Sequence, residues 1–153
     1  MILIDANILV YATNVRSPRH GEASEWLERQ LNNAAIGLPW LVLVAFLRVS
    51  TNRRLMPIPL SSDEAIAQVN DWLDLDNVRI LEPTENHWSV LSRLLLRAGT
   101  AGNLTNDAHI AAIAIEHGAL VCSADSDFNR FQGVQFYNPF EDNQIKEPLI
   151  AYG

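Results

Sequence analysis

The sequence predicts an α/β fold built on a central, mainly parallel sheet of about five strands. Short apolar runs rich in β-branched residues alternate with longer stretches of helical spacing. Right-handed crossovers turn that pattern into a parallel sheet covered on both faces. The first run, Met1 to Ile4, is apolar throughout, as a strand between two helical layers must be. Apolar residues make up 48% and charged residues 19% of the 153, enough for one sizeable core and one domain over 1–153.

The elements follow in order. After the Met1–Ile4 strand, Asn7 to Thr13 is helical. Pro18 to Leu31 has helical spacing, with Ser17 placed to cap it and Pro18 in its first turn. Ala35 to Leu38 is a second strand, and Pro39 opens an apolar helix from Trp40 to about Thr51. Pro57 and Pro59 interrupt the chain. Ser61 or Ser62 caps the next helix, through Leu75, with Glu64 positioned as the reciprocal partner of a capping box. Val78 to Leu81 is a third strand. Asn86 to Arg97 is an amphipathic helix stopped by Gly99, Gly102 and Asn103. Thr105 or Asn106 starts a helix that ends at His117 and Gly118. Ala119 to Cys122 is the fourth strand, followed by a polar turn, and Val134 to Phe136 is a short fifth. From Asn138 the period fades, and 139–153 reads as an acidic tail.

Composition excludes several classes. No run approaches the roughly 18 apolar residues of a membrane helix, and Asp5 interrupts the first apolar run too early for a signal peptide. A single cysteine, Cys122, makes neither an internal disulfide nor a zinc cluster. The expectation is a soluble, cytoplasmic protein. The formal net charge is −7, and the only lysine is Lys146. A protein that coats nucleic acid by bulk electrostatics is basic, so that class is excluded. An acidic protein can still process RNA where a divalent cation stands between its carboxylates and a phosphate.

Function in parallel sheets gathers at the carboxyl ends of the strands. Asp5 ends the first strand, Asp125 and Asp127 follow the fourth, and Asp107 lies in the first turn of a helix. Each alone has an ordinary reading: a cap or turn residue, or a carboxylate favoured by the helix dipole. Together they would converge on one edge of the sheet and repel one another unless a hard cation sat among them. Oxygen-only ligands suit Mg2+, with Mn2+ as a substitute. A divalent ion held this way polarises a phosphodiester and activates a water against it.

Four segments carry a resemblance: Leu3 to Asn7, Phe46 to Asn52, Asn106 to Ala112, and Ser123 to Phe131 followed by Asn138 and Pro139. In that order and spacing the chain resembles the PIN-domain ribonucleases, most closely the VapC toxins of bacterial type II toxin–antitoxin systems. The resemblance implies a PIN-like three-layer sandwich and an Mg2+- or Mn2+-dependent endoribonuclease. It also implies a homodimer and neutralisation by a cognate VapB-type antitoxin. Asp5, Asp107 and Asp125 match the family's metal-site acids. Asn7, Ser123 and Asp127 match supporting positions, and Arg48 is placed to meet RNA or an antitoxin acid.

One position departs from the family pattern. Where these toxins carry a Glu, three residues before the helix arginine, this chain has Ala45, and residues 32–62 contain no Asp or Glu. Either the helix is plain core here, or a carboxylate has been replaced to disarm the enzyme. Both readings imply a chain weaker than its family, and the rival is an inactive PIN-like module that binds antitoxin or RNA. Receiver and aspartyl-phosphatase readings fail, because Lys146 is badly placed and Asp5-Ala6-Asn7 lacks a second Asp. His20, His87 and His109 read as surface or helix-packing residues. Trp26, Trp40, Trp72 and Trp88 read as core or dimer packing rather than base-stacking residues.

Overall fold

A computed structural model describes residues 1–141. Lys146 and the acidic tail beyond Glu141 lie outside the described residues. The strands are β1 (Ile2–Ile4), β2 (Ile36–Pro39), β3 (Val78–Leu81), β4 (Leu120–Cys122) and β5 (Gln135–Tyr137). The helices are α1 (Ala6–Thr13), α2 (His20–Asn33), α3 (Trp40–Ser50), α4 (Ser62–Leu73), α5 (His87–Ala98) and α6 (Thr105–His117). Two short 3-10 helices, Gly102–Leu104 and Ser126–Arg130, occupy stretches that the sequence leaves as loop and polar turn.

All the strand pairs are parallel, in the order β3-β2-β1-β4-β5. Moving from β1 to β2 to β3 by right-handed crossovers places α1 to α4 on one face. The return from β3 across to β4 places α5 and α6 on the other. The result is the expected three-layer sandwich, and its direction reverses between β1 and β4. Such a switch point opens a crevice at the carboxyl ends of the two strands. Asp5 and Ser123, the residues just past those ends, stand on its two sides.

Local chemistry explains most boundaries. Ser61 caps α4, its hydroxyl accepting from the Glu64 N–H at 3.1 Å while the Glu64 carboxylate accepts from the Ser61 N–H, also at 3.1 Å. Gly99 and Gly118 end α5 and α6 in the left-handed conformation, where a Cβ would be strained. Gly37 matters for a different reason: a Cβ there would run into the buried Leu81 side chain of the neighbouring strand.

The start of α2 differs from the sequence expectation. The helix begins at His20, not Pro18, because Ser17 caps a tight turn instead. Its hydroxyl accepts from the Arg19 N–H at 3.1 Å and its carbonyl from the His20 N–H at 3.0 Å. The tryptophans also divide. Trp26 and Trp72 are 7% and 4% exposed and belong to the core, whereas Trp40, at 53%, and Trp88 are exposed. Among the histidines, His87 ties α5 to α6, with Nδ1 2.6 Å from Glu116 and Nε2 2.9 Å from His109. No helix among the described residues is long and apolar enough to cross a membrane.

Candidate metal centre

The site is built outward from Asp5. This residue ends a strand with no exposed face and caps α1, its Oδ1 accepting the Ala6 N–H at 2.8 Å. Its Oδ2 accepts the Ser123 hydroxyl at 2.7 Å, a bond that joins residues 118 apart across the β1–β4 seam. Ser123 is fully buried, and its oxygen accepts in turn from the Asn7 side-chain amide at 3.1 Å and the Asp125 N–H at 3.0 Å. Asn7 completes the clamp: its carbonyl oxygen accepts the Ala124 N–H at 3.2 Å. Three side chains, Asp5, Asn7 and Ser123, therefore fix the loop after β4 relative to the loop after β1.

That clamp aims the remaining acids. Asp125 caps the 3-10 helix that follows, its Oδ1 accepting the Asp127 N–H at 2.9 Å. The turn brings Asp127 back beside Asp125. Asp107 approaches from the third position of α6, and carboxylate oxygens of Asp107, Asp125 and Asp127 all lie within 4.8 Å of one another. Asp127 thus stands among the acids themselves and not merely near them. The sequence held a signal for this in the Asp125-Ser126-Asp127 spacing, which a 3-10 turn folds onto one side.

Electrostatics show the strain of this crowding. Burial raises the Asp107 carboxyl, with the charges of Asp125 and Asp5 next and a hydrogen bond to Asp125 and the Asp127 charge behind them. Together they push it up to about 8. The helix N-terminus favours an anion at Asp107, so burial and the neighbouring acids together outweigh it. Asp5 is also raised, first by burial and then by Asp125, against the opposing hydrogen bonds from Ser123 and Ala6. A divalent cation among these oxygens would reverse both effects. Oxygen-only donors at this spacing fit Mg2+ or Mn2+. Cys122 lies just beneath, but its buried thiol is pushed up to about 12 and takes no part.

A cavity of about 820 Å3 opens over the acids. One wall carries Asp5, Asn7, Asp107, Asp125 and Asp127, together with Asn103 and Asn106, which sequence reading did not single out. The facing wall is α3, through Leu41, Val44, Ala45 and Arg48. The cavity thus has an acidic side and an apolar side with one guanidinium. Ala45 lines the same cavity and adds no carboxylate to it.

The Ser123 hydroxyl gives the first expected result. Ser123→Ala leaves the buried Asp5 Oδ2 with only the Asn7 amide, at 3.5 Å, and takes from the Asp125 N–H the oxygen it donates to. Leaving buried polar groups unpaired costs about 1–3 kcal/mol. Urea unfolding in EDTA should show a loss of that order; an unchanged midpoint would mean that the hydroxyl holds nothing together.

Comparison with known proteins bears on this arrangement. The PIN domain model matches residues 2–134. Ribonuclease VapC37 of Mycobacterium tuberculosis is 44% identical over 140 residues, which cover 91% of this chain and 97% of the relative. Ribonuclease VapC33 of the same species is 37% identical, covering 93% of this chain and all of the relative. Among solved structures, VapBC-1 from nontypeable Haemophilus influenzae superposes with a TM-score of 0.65 at 20% identity, over 92% of this chain and 100% of that one. That likeness establishes the fold. Matched by a family model over most of its length and by relatives of this identity, the chain belongs to the PIN-domain family and, within it, to the VapC ribonucleases.

Proposed function

We propose that the protein is a single-domain, divalent-metal-dependent endoribonuclease, the toxin half of a cytoplasmic toxin–antitoxin pair. The observation that carries the reading is the cluster of Asp107, Asp125 and Asp127 within 4.8 Å, with Asp5 clamped beside it at the switch point of the sheet. These four residues would hold Mg2+, or Mn2+ in its place. Bound there, the ion supplies a Lewis acid for a phosphate oxygen and lowers the pKa of an attacking water. Ser123 and Asn7 keep Asp5 and the Asp125 loop in register, so the acids need no rearrangement when substrate arrives. Arg48, on the facing wall, meets a phosphate of the RNA or an acid of the antitoxin. The net charge of −7 favours a basic antitoxin segment, steered by complementary potential. Exposed Trp88 and Leu96, two turns apart on α5, offer an apolar surface to a second copy of the chain.

Ala45 supports a second reading, a PIN-like module that binds RNA or antitoxin without cutting. One experiment separates them. The purified chain is incubated with total RNA and Mg2+ or Mn2+, with an EDTA control. Discrete fragments that appear with metal and vanish with EDTA are expected. RNA that is bound but stays intact with every metal tried would overturn the ribonuclease reading in favour of the module.

A further inference from the structure

We infer that Asn103 and Asn106 are specificity-determining residues, whose side-chain amides read the ribose 2′-hydroxyl beside the phosphate held over the acids. The inference rests on the ribonuclease reading above and adds to it the two side chains that recognise the sugar. Both asparagines line the cavity, and so do Asp107 and Ile110. These four positions are spaced i, i+3, i+4 and i+7, which is one face of a helix. The 3-10 turn Gly102–Leu104 thus carries the cavity face of α6 backward by one turn, to Asn103. Asn103 is four residues from Asp107, about 6–8 Å along the axis.

The turn is held in place. Leu104, between the two asparagines, is 5% exposed and belongs to the core. Its N–H donates to the Ala101 carbonyl at 2.9 Å, and Gly102 supplies the left-handed backbone that opens the turn. The asparagines on either side of Leu104 are exposed, and neither side chain makes a hydrogen bond among the described residues. Asn7, in the same lining, is spent on Ser123 and Ala124. Ser126, the remaining uncharged polar side chain there, belongs to the loop after β4.

The chemistry of an amide decides what this pair meets. The charge of the phosphate is answered by Arg48 and by the acids' cation site, so the group left to recognise beside it is neutral. An amide both donates and accepts, and so does a hydroxyl. The sugar is bonded directly to the phosphate, whereas the base stands off on the far side of the sugar. One turn from Asp107, the 2′-hydroxyl is therefore the polar group within reach. That hydroxyl is what lets a protein tell RNA from DNA at a given site.

The test is equilibrium binding of the full chain to a fluorescent RNA of about twelve nucleotides. The uracil-containing DNA of the same sequence, which lacks only the 2′-hydroxyls, serves as comparison. Fluorescence anisotropy is read with Ca2+ in place of Mg2+, and circular dichroism checks the fold of each variant. The native chain should bind the RNA more tightly than the DNA. Asn103→Ala combined with Asn106→Ala should weaken RNA binding by about ten-fold, the scale of two net hydrogen bonds, and leave DNA binding unchanged. The loss should be equal at about 50 and about 200 mM salt, because an amide releases no counterions. Ser126→Ala should keep the native preference.

Equal losses on RNA and DNA would overturn the sugar-reading role, since the amides would then meet phosphate or base. So would a native chain that binds both strands alike, a preference that survives in the combined variant, or one erased by Ser126→Ala instead. Each of these leaves the ribonuclease reading, tested by metal-dependent cleavage, standing. A native chain that binds neither strand overturns both.

Discussion

Asp107→Asn is expected to abolish metal-dependent cleavage and, in EDTA near pH 8, to raise the thermal midpoint of the chain. The two effects share one cause. Burial first, and then the charges of Asp125, Asp5 and Asp127, push the Asp107 carboxyl up to about 8 in the folded chain against an ordinary 3.8. The unfolded chain therefore releases this proton at lower pH than the folded one does. The carboxyl costs no stability below pH 4, and stability is lost progressively as pH rises toward 8. Metal-free protein should melt at falling temperatures across that window, and Asp107→Asn should flatten the fall. Asp107 is partly exposed, so solvent screening reduces the effect. A domain of this size shifts its midpoint by about 2–4 °C for each kcal/mol. Added Mg2+ or Mn2+ should stabilise the native chain most at high pH, where it no longer competes with a proton. The variant should lose most of that response together with its cleavage, by at least the 10–100-fold that follows loss of an outer partner alone. If Asp107→Asn responds to metal as the native chain does, Asp107 lies outside the metal site.

Ala45→Glu is expected to raise cleavage by about ten-fold or more, on the same scale of ligand effects. Ala45 is half-buried in the middle of α3 and lines the same cavity as the acids, so a Glu there would extend into the space they share. It would bring a carboxylate to the one wall that lacks any, and so position metal and water from a second direction. Mg2+ binds through only one or two carboxylates plus waters and substrate phosphates. The four aspartates already present should therefore suffice to hold the ion, and the gain should appear mainly in the rate. Helix propensity changes little between Ala and Glu, but a fifth acid adds repulsion, so the metal-free variant should be less stable at neutral pH. The two forms are compared on one RNA with saturating Mn2+. Equal rates would show that α3 carries no catalytic weight and that the aspartates alone perform the reaction.

The linear chain determined whatever a few neighbouring residues decide. An apolar run stopped by Asp5 reads as a buried strand followed by a helix cap, and both are present. The Ser61–Glu64 spacing is a capping box because its bonds span only three residues, and Gly99 and Gly118 end helices because no tertiary partner is needed for a left-handed turn. Ser17 and Pro18 show the limit even at short range. Both suit a helix start, yet the hydroxyl found a partner in a tighter turn, and the helix began two residues later.

The site needed contacts that local pattern does not encode. Asp5 and Ser123 meet because β1 pairs with β4, and that choice of neighbour depends on how the helices share the two faces of one sheet. Asp127 joins the acids only because the chain after Asp125 winds into a 3-10 turn clamped by the same hydrogen bonds. Periodicity placed all four tryptophans on helices but left open which had something to pack against. A helix face has a direction in the sequence, whereas its neighbour exists only after the layers assemble, so Trp26 and Trp72 became core while Trp40 and Trp88 stayed exposed.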